Sequence, residues 1–328
     1  MKIIGRQIEF GVGLEEVRGT PETVAEKWVK KITATILEKS EKKSDESTRN
    51  VLSDSLGTRI IKKWIEGDLE GNLHVDAFGY YLLNIFGTVV SSNVAGAVYS
   101  HVFTLANNIQ HPALTLFAKD GSVDQNTFSN GMIGVLGISA SIDDRVKFNA
   151  SFIAKAGASN SDTPSYDTEY DFIGRDITVK IADTEVGLVT ADAIKLKELS
   201  INFDQGLISD HVFGSYNPDD IYNAKMMIEG DFMLNFDDTT FKDLYLADTY
   251  KYMEITIEGE ADIGGGNKPS ITILLNRTQI VEWEREDGAD DLSTQPISFK
   301  AFYNETDAQQ AKVTVQNLTS EYDTPLSI

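Results

Sequence analysis

Apolar and polar residues alternate with a period of two along much of the chain. Residues 62–75 read KKWIEGDLEGNLHV, and residues 225–238 read KMMIEGDFMLNFDD. Because side chains of a β-strand point alternately to opposite faces, each stretch predicts a half-buried strand with an acidic outer face. The carboxylates on the two predicted outer faces are Glu66, Asp68, Glu70, Glu229 and Asp231.

The same alternation recurs in short segments throughout the chain. These segments are 145–154, 198–204, 252–260, 270–276, 297–304 and 311–317. Many short strands separated by turns are typical of an antiparallel sandwich or barrel, so the fold class is mainly β. Helical patterns are few and predict helices at about 20–33, 76–86 and 240–250.

The sequence Ile-Glu-Gly-Asp occurs twice, beginning at Ile65 and Ile228, 163 residues apart. Around each copy the predicted order is strand, long polar loop, strand and short helix. Residues 156–171, AGASNSDTPSYDTEYD, have the composition of a linker. The chain is therefore predicted to hold two tandem antiparallel β-sandwich or barrel domains, 1–157 and 158–328, each with a short flanking helix. Their similarity indicates an internal duplication.

The chain carries 51 acidic and 29 basic residues, a formal net charge of −22. Proteins that hold nucleic acid usually present a basic patch, since neutralising phosphates drives that binding. The acidic balance therefore disfavours tight nucleic-acid binding, although it also serves solubility. The absence of cysteine excludes disulfides and thiolate metal sites. No apolar run reaches the ~20 residues that span a bilayer.

Motifs of catalysis and cofactor binding are missing from the sequence. No glycine-rich nucleotide fingerprint and no Gly-x-Ser-x-Gly elbow is present. The histidines, at positions 74, 101, 111 and 211, do not fall at metal-ligand spacing. We therefore expect no enzymatic activity, no catalytic residue, no metal and no cofactor. A hydrolase on a β-scaffold is the least favoured hypothesis.

Two predicted loops have compositions that suggest contacts. Residues 38–49, EKSEKKSDESTR, are rich in basic side chains within an acidic protein. Those side chains are Lys39, Lys42, Lys43 and Arg49. The segment is either a solvated, mobile loop or one that orders against an acidic surface of another subunit. The corresponding loop, 205–223, is more aromatic, and exposed aromatic residues indicate an interface. Its aromatic residues include Phe213, Tyr216 and Tyr222.

Four segments, taken in order, resemble the tail tube proteins, or major tail proteins, of long-tailed bacteriophages. They are FGVGLEEVRGTPE (10–22), IEGDLEGNLHVDAFGYYLLNIFG (65–87), FSNGMIGVLGISASIDDRVKFNASFIAK (128–155) and KVTVQNLTSEYD (312–323). The resemblance covers most of the chain, and the order of the segments carries most of its weight. It implies β-sandwich subunits that form rings, which stack into a tube around a channel for DNA.

The resemblance also implies a symmetry and a set of partners. Such rings usually contain six sandwiches, so a chain with two of them would need three copies, with pseudo-sixfold symmetry. A ring of six chains is the alternative. Expected partners are the tape measure, tail terminator and distal tail proteins, with DNA passing through unbound and no membrane involved. The protein would be made in the host cytoplasm and belong to the virion tail.

The family's inner sheet favours a lumen position for the five predicted outer-face carboxylates, and the outer wall is the alternative position. A second function remains open, that of a carbohydrate-binding or adhesin-like β-protein of a phage tail or cell surface. Trp28, Trp64 and Trp283, with twelve tyrosines, could line a sugar platform in such a protein.

Overall fold

A computed structural model describes residues 2–47, 50, 52 and 54–322, and these residues form a mainly β protein. The first-half strands are β1 (Ile8–Leu14), β2 (Lys27–Val29), β3 (Thr33–Ser44), β4 (Thr58–Asn72), β5 (Gly87–Ala95), β6 (Val98–Leu105), β7 (Leu114–Asp120), β8 (Asp124–Ser141), β9 (Lys147–Ala154) and β10 (Ala158–Ser159). The second-half strands are β11 (Ile177–Ala182), β12 (Leu196–Asp204), β13 (Leu207–Asp210), β14 (Asp220–Asn223), β15 (Met227–Asn235), β16 (Tyr250–Glu258), β17 (Ser270–Trp283), β18 (Thr294–Ala301) and β19 (Ala311–Asn317). The α-helices of this described part are α1 (Val75–Phe86) and α2 (Thr240–Ala247).

One antiparallel sheet of eight strands runs through both halves, and we call it the shared sheet. Its strand order is β3-β4-β9-β8-β12-β15-β18-β17. The halves join where β8 pairs with β12, from Val135 opposite Asp204 to Ser141 opposite Glu198. Both halves therefore contribute four strands to a single surface.

A second layer of strands covers one face of the shared sheet. The long strands β8 and β17 begin in this layer and then continue into the shared sheet. The layer pairs in the order β2-β1-β7-β8 in the first half, and β11-β16-β17-β19-β6-β5 over the second. The large apolar core lies between the layers. This arrangement confirms the predicted mainly β sandwich, and the sheets do not close into a barrel within the chain.

The strand pairings of the shared sheet follow the same order in the two halves. Thus β3, β4, β9 and β8 occupy the places that β12, β15, β18 and β17 occupy in the second half. Even a register shift recurs at the same place, between Ile133 and Val135 in β8 and between Ile280 and Glu282 in β17. The hairpin of β5 and β6 has no counterpart before β16 and reaches across to β19 instead.

Strand β19 and the residues after it complete the core of the first half. β19 lies between β17 and β6, hydrogen-bonded to both. The buried Tyr322 donates its hydroxyl to the Asp76 carbonyl of α1 (2.7 Å) and accepts from Asn317 Nδ2 (2.8 Å). Its ring fills the space beside Gly79, where a Cβ atom would come within 2.0 Å. The close approach of this ring requires glycine at that turn of the helix.

Two helix predictions match the structure and one is wrong. The predicted helices at 76–86 and 240–250 correspond to α1 and α2, although α2 ends at Ala247 because Asp248 is left-handed (φ 54°). Residues 20–33 contain β2 and turns in place of a helix. Here Asp162 accepts hydrogen bonds from the Ala25 N–H (2.8 Å) and the Trp28 indole (3.3 Å). These tertiary contacts, with the pairing of β2 to β1, override the local helical pattern.

The basic segment predicted as a loop at 38–49 is largely a β-hairpin. Its residues 38–44 belong to β3 and pair with residues 58–65 of β4. A two-stranded ribbon with solvent on both faces has polar residues on both, so it lacks the alternation that marks a half-buried strand. The other predicted loop, 205–223, likewise contains the paired strands β13 and β14. We call residues 38–44 and 58–63 the arm.

The repeated Ile-Glu-Gly-Asp sequence has a packing explanation in its glycine. A Cβ atom on Gly67 would lie 2.3 Å from the Thr35 carbonyl oxygen and 2.4 Å from the ring of Phe152. On Gly230 it would lie 2.3 Å from the Ser200 carbonyl oxygen and 2.5 Å from the ring of Phe299. In both halves an aromatic ring from the neighbouring strand covers the glycine, so only glycine fits there.

Alanine at either repeated glycine should destabilise the protein by about 1–3 kcal/mol, because a backbone carbonyl and a ring must both move. The control is Gly134→Ala in β8, where the new Cβ would meet its nearest neighbour at 3.5 Å. That change should stay within about 0.5 kcal/mol. Chemical denaturation of the unassembled protein measures all three variants. Equal stability of Gly67→Ala, Gly230→Ala and Gly134→Ala would contradict the packing explanation.

Candidate functional site

The five carboxylates predicted on the outer faces of two strands lie on one face of the shared sheet, which we call the polar face. Cross-strand neighbours establish this, since Asp68 lies opposite Ser151 while Asp231 lies opposite both Ser200 and Ser298. The carboxylates of the polar face are Glu66, Asp68, Glu70, Glu198, Asp204, Glu229, Asp231 and Glu282. Its lysines are Lys39, Lys147 and Lys300. The polar face is therefore acidic across both halves.

Neighbouring side chains hold several of these carboxylates in place. The Trp64 indole donates to Glu66 Oε1 (2.7 Å), and Lys39 lies 3.8 Å from the other oxygen of Glu66. Ser298 donates to Asp231 (2.6 Å), and Glu229 forms an ion pair with Lys300. Asp68, Glu70 and Asp231 are exposed, and Glu66 and Glu229 are half-buried. The acids thus remain in contact with solvent along the whole face.

The opposite face of the shared sheet is apolar and packs against the second layer. Its buried side chains include Leu69, Phe152, Phe203, Phe232 and Phe299, all at most 4% exposed. A sheet with one buried face and one acidic face can form the wall of a water-filled space. The second layer then lies on the far side of that wall.

Both ends of the shared sheet are free strand edges among the described residues. At one end β3 pairs only with β4. At the other end, β17 beyond Ile280 pairs only with β18. A strand edge presents a row of backbone groups that can pair with another strand, and natural proteins usually protect such edges. Two free edges on one sheet offer places where further copies can join.

The phage tail tube protein family model matches residues 5–301, and so covers both ends of the shared sheet. The chain belongs to the phage tail tube protein family. It is accordingly a structural protein of the phage virion, located in the tail. No curated protein matches the chain.

The tail tube protein places its other predicted contact residues in three settings. Lys39, Lys42 and Lys43 lie on the arm, and Lys39 lies where the arm joins the β3 edge of the shared sheet. Phe213 is fully exposed, Tyr216 is largely exposed, and Tyr222 is half-buried in β14. The Tyr216 carbonyl accepts a hydrogen bond from the Lys63 N–H (2.8 Å), so the arm contacts the segment 205–223. Arg49 lies outside the described residues.

A buried polar cluster that the sequence did not predict fixes the β13–β14 hairpin to the first half. Arg18 Nε lies 2.9 Å from Asp220 Oδ1, and its guanidinium also donates to the carbonyls of His111 and Ile221. Asn130 and Gln110 each donate to Asp220 at 2.8 Å. These donors keep the pKa of Asp220 below its usual value despite burial. Arg18 and Asp220 are far apart in the chain, so no local pattern links them.

Glu15, beside this cluster, is a fully buried carboxyl group. It accepts hydrogen bonds from the backbone N–H groups of Asn130 (2.6 Å) and Gly19 (2.5 Å) and from Thr115 Oγ1 (3.3 Å). Burial raises the pKa of Glu15 to about 7, against the opposing effect of these hydrogen bonds and of Arg18. The group therefore takes up a proton on folding under mildly acidic conditions.

The tryptophans do not form one platform in the tail tube protein. Trp28 is buried (3% exposed), Trp64 is hydrogen-bonded on the polar face, and Trp283 packs beside Phe236 on the other side of the sheet. In the described ranges, no three histidine or acidic side chains gather where they could hold a metal ion. The helices described there are too short or too polar to cross a membrane.

The raised pKa of Glu15 predicts a pH dependence of stability. Between about pH 4.5 and 7 the folded protein holds a proton that the unfolded chain has released, so stability falls as pH rises. The stabilisation is fully present below pH 4.5 and amounts to about 3 kcal/mol. Glu15→Gln cannot titrate and should lose this slope. Denaturation of both proteins across the interval measures the difference, and parallel curves would contradict the assignment.

Proposed function

We propose that this tail tube protein assembles into rings of three chains, and that stacked rings form the hollow tube through which DNA leaves a long-tailed phage. The observation that carries the proposal is the shared sheet. It runs through both halves, exposes one acidic face, buries the other, and ends in a free edge on each side. Such a sheet, joined edge to edge with copies of itself, closes into a barrel around a channel.

The repeated strand order supports three copies per ring. Each chain contributes four strands from each half, in the same order, as expected of a duplicated tube domain with halves 1–157 and 158–328. Three eight-stranded sheets make a barrel of roughly 24 strands and roughly 40 Å across. Six chains would double the strand number and the diameter. The smaller barrel gives six repeated units per ring with pseudo-sixfold symmetry.

An inward orientation of the polar face suits the passage of DNA. Its carboxylates, Glu66, Asp68, Glu70, Glu229 and Asp231 among them, repel phosphates and offer few cations to bind them. Salt screens this repulsion over ~10 Å at ~0.1 M, so it acts on a duplex close to the channel wall. DNA then slides without specific binding. The covering second layer supports this orientation, because it fills the opposite side of the sheet.

The arm and the β13–β14 hairpin are our candidates for contacts between rings or neighbouring subunits. The arm carries six basic and two acidic side chains, a net charge of +4 in a protein of −22. The β13–β14 hairpin contributes the exposed Phe213 and Tyr216 together with Tyr222. The two candidates therefore offer both charged and aromatic contacts. Tail partners such as the tape measure, the terminator and the distal tail protein would meet the ends and lumen of the tube.

Electron microscopy of the purified, concentrated protein should show hollow fibres with a regular axial repeat. Averaged end views should resolve three chains per ring, each spanning two similar lobes. Six separate chains per ring would reject the trimer while keeping the tube. Discrete particles that bind glycans in a screen would instead support the adhesin function.

Shortening the arm should separate ring formation from stacking. Replacing residues 42–61 by Asn-Gly leaves a favoured two-residue turn between Glu41 and its cross-strand partner Lys62. The shared sheet stays intact, so rings should form while stacked tubes are lost. Analytical ultracentrifugation and microscopy distinguish these products. As a control, Val186→Ser changes only an exposed side chain outside the candidate contacts and should leave the subunit's stability unchanged. Normal tubes from the shortened variant would exclude the arm from stacking.

A further inference from the structure

Resting on the proposed ring, we propose a residue-level register for the seam between copies. The end of β17 in one chain pairs antiparallel with β3 of a second copy, with Glu282 opposite Lys39. This seam repeats the pairing of β8 with β12 inside the chain. The internal repeat supplies the correspondence in three steps.

The first step aligns β3 with β12 through their common neighbour strand. In β4 the repeated glutamate Glu66 lies opposite Leu37, and in β15 its counterpart Glu229 lies opposite Asn202. Leu37 therefore occupies the place of Asn202. Two residues further on, Lys39 occupies the place of Asp204.

The second step aligns β17 with β8 through the phenylalanines that cover the repeated glycines. Ile133 lies opposite Phe152, and Ile280 lies opposite Phe299. After the shared register shift, Val135 lies opposite Ser151 and Glu282 opposite Ser298. Glu282 therefore occupies the place of Val135.

The third step applies the register of the internal seam, between β8 and β12, to the seam between copies. Val135 lies opposite Asp204 within the chain, so Glu282 lies opposite Lys39 of the next copy. Continuing in the antiparallel direction, Trp283 meets Glu38 and Glu284 meets Leu37. The strand direction and the side of the sheet are those already present between β8 and β12.

The register also agrees with which residues of β17 direct their backbone N–H and C=O groups towards the free edge. Within the chain the Gln205 N–H donates to the Gly134 carbonyl (3.0 Å), so alternate residues of β8, Leu136 among them, bond towards β12. In the second half the Glu284 N–H donates to the Pro296 carbonyl (3.2 Å), on the β18 side. The backbone groups of Trp283 therefore face the free edge, as those of Leu136 face β12. Glu282 and Lys39 then form a non-hydrogen-bonded pair, with Cα atoms about 4.5 Å apart.

The charges at the two free edges are complementary. Residues 282–291 contain six acidic side chains and one arginine, a net charge of −5, while residues 30–39, which the register places opposite them in the next copy, contain three lysines and one glutamate, a net charge of +2. The seam inside the chain differs, since residues 135–141 of β8 carry no charge. Opposite charges across a strand pair stabilise it and select the partner. The seam between copies is therefore sensitive to salt, and the internal seam is not.

Paired cysteines test the register cleanly, because the chain has no native cysteine. We expect the Lys39→Cys/Glu282→Cys protein to form disulfides between copies, giving covalent dimers and trimers on a non-reducing gel. Within one chain these positions lie seven strand spacings apart, roughly 33 Å, too far for a disulfide. Val135→Cys/Asp204→Cys, the equivalent internal pair, is the positive control and should close within the chain. Thr35→Cys/Glu282→Cys, shifted by four residues or about 13 Å, is the off-register control.

Microscopy of the same samples distinguishes the failure of the register from the failure of the ring. Rings that cross-link through the off-register pair, or through neither pair, overturn the register and leave the proposed function standing. A protein that forms neither rings nor intermolecular disulfides, while the internal control closes, overturns both.

A charge exchange gives an independent measurement of the same pair. Lys39→Glu places two glutamates opposite each other and should weaken ring association about threefold per seam at low salt. Adding Glu282→Lys to that variant should restore association. Equal loss in the single and double variants would show that the two side chains do not face each other.

Discussion

The backbone pairing of β8 with β12 is the interaction on which the rest of this tail tube protein depends. Without it the chain would hold two four-stranded sheets, each with its own pair of edges. With it, the polar face continues from β3 to β17 and both apolar faces enter one core. The pairing also sets the separation of the two free edges, which lie seven strand spacings apart. Any ring built from this subunit inherits that spacing.

The two halves are held together by apolar packing and by partly buried polar contacts such as the Arg18–Asp220 ion pair. The contact proposed between copies depends instead on exposed charges. Inside the chain, the Arg18–Asp220 pair fastens the second-half hairpin to the first half, and the uncharged residues 135–141 of β8 line the internal seam. At the free edges, the acidic segment 282–291 and the basic arm remain largely exposed to solvent. Exposed ion pairs contribute little each, so such a seam forms and separates readily until several act together.

Strands with one buried face could be predicted from sequence alone, as the two Ile-Glu-Gly-Asp strands show. The polar face could be predicted for the same reason, although its direction in an assembly could not. The arm was mistaken for a loop, because a ribbon solvated on both faces has no period-two pattern. Residues 20–33 were mistaken for a helix, because their partner Asp162 lies more than 130 residues away. The Arg18–Asp220 pair and the free edges left no local signal, since both depend on how residues far apart in the chain come together.

The burial of Tyr322 beneath α1 bears on the order of events during synthesis. Residues 1–157 contain every first-half strand of the shared sheet. However, residues 311–322 fill the space beside Gly79 and pair with the free side of β6. A nascent chain that has exposed only its first half therefore lacks a complete core. Residues 311–322 must therefore leave the ribosome before the first half can complete its core. If the subunits polymerise as proposed, the order in which the chain is made would exclude partly made subunits from the tube.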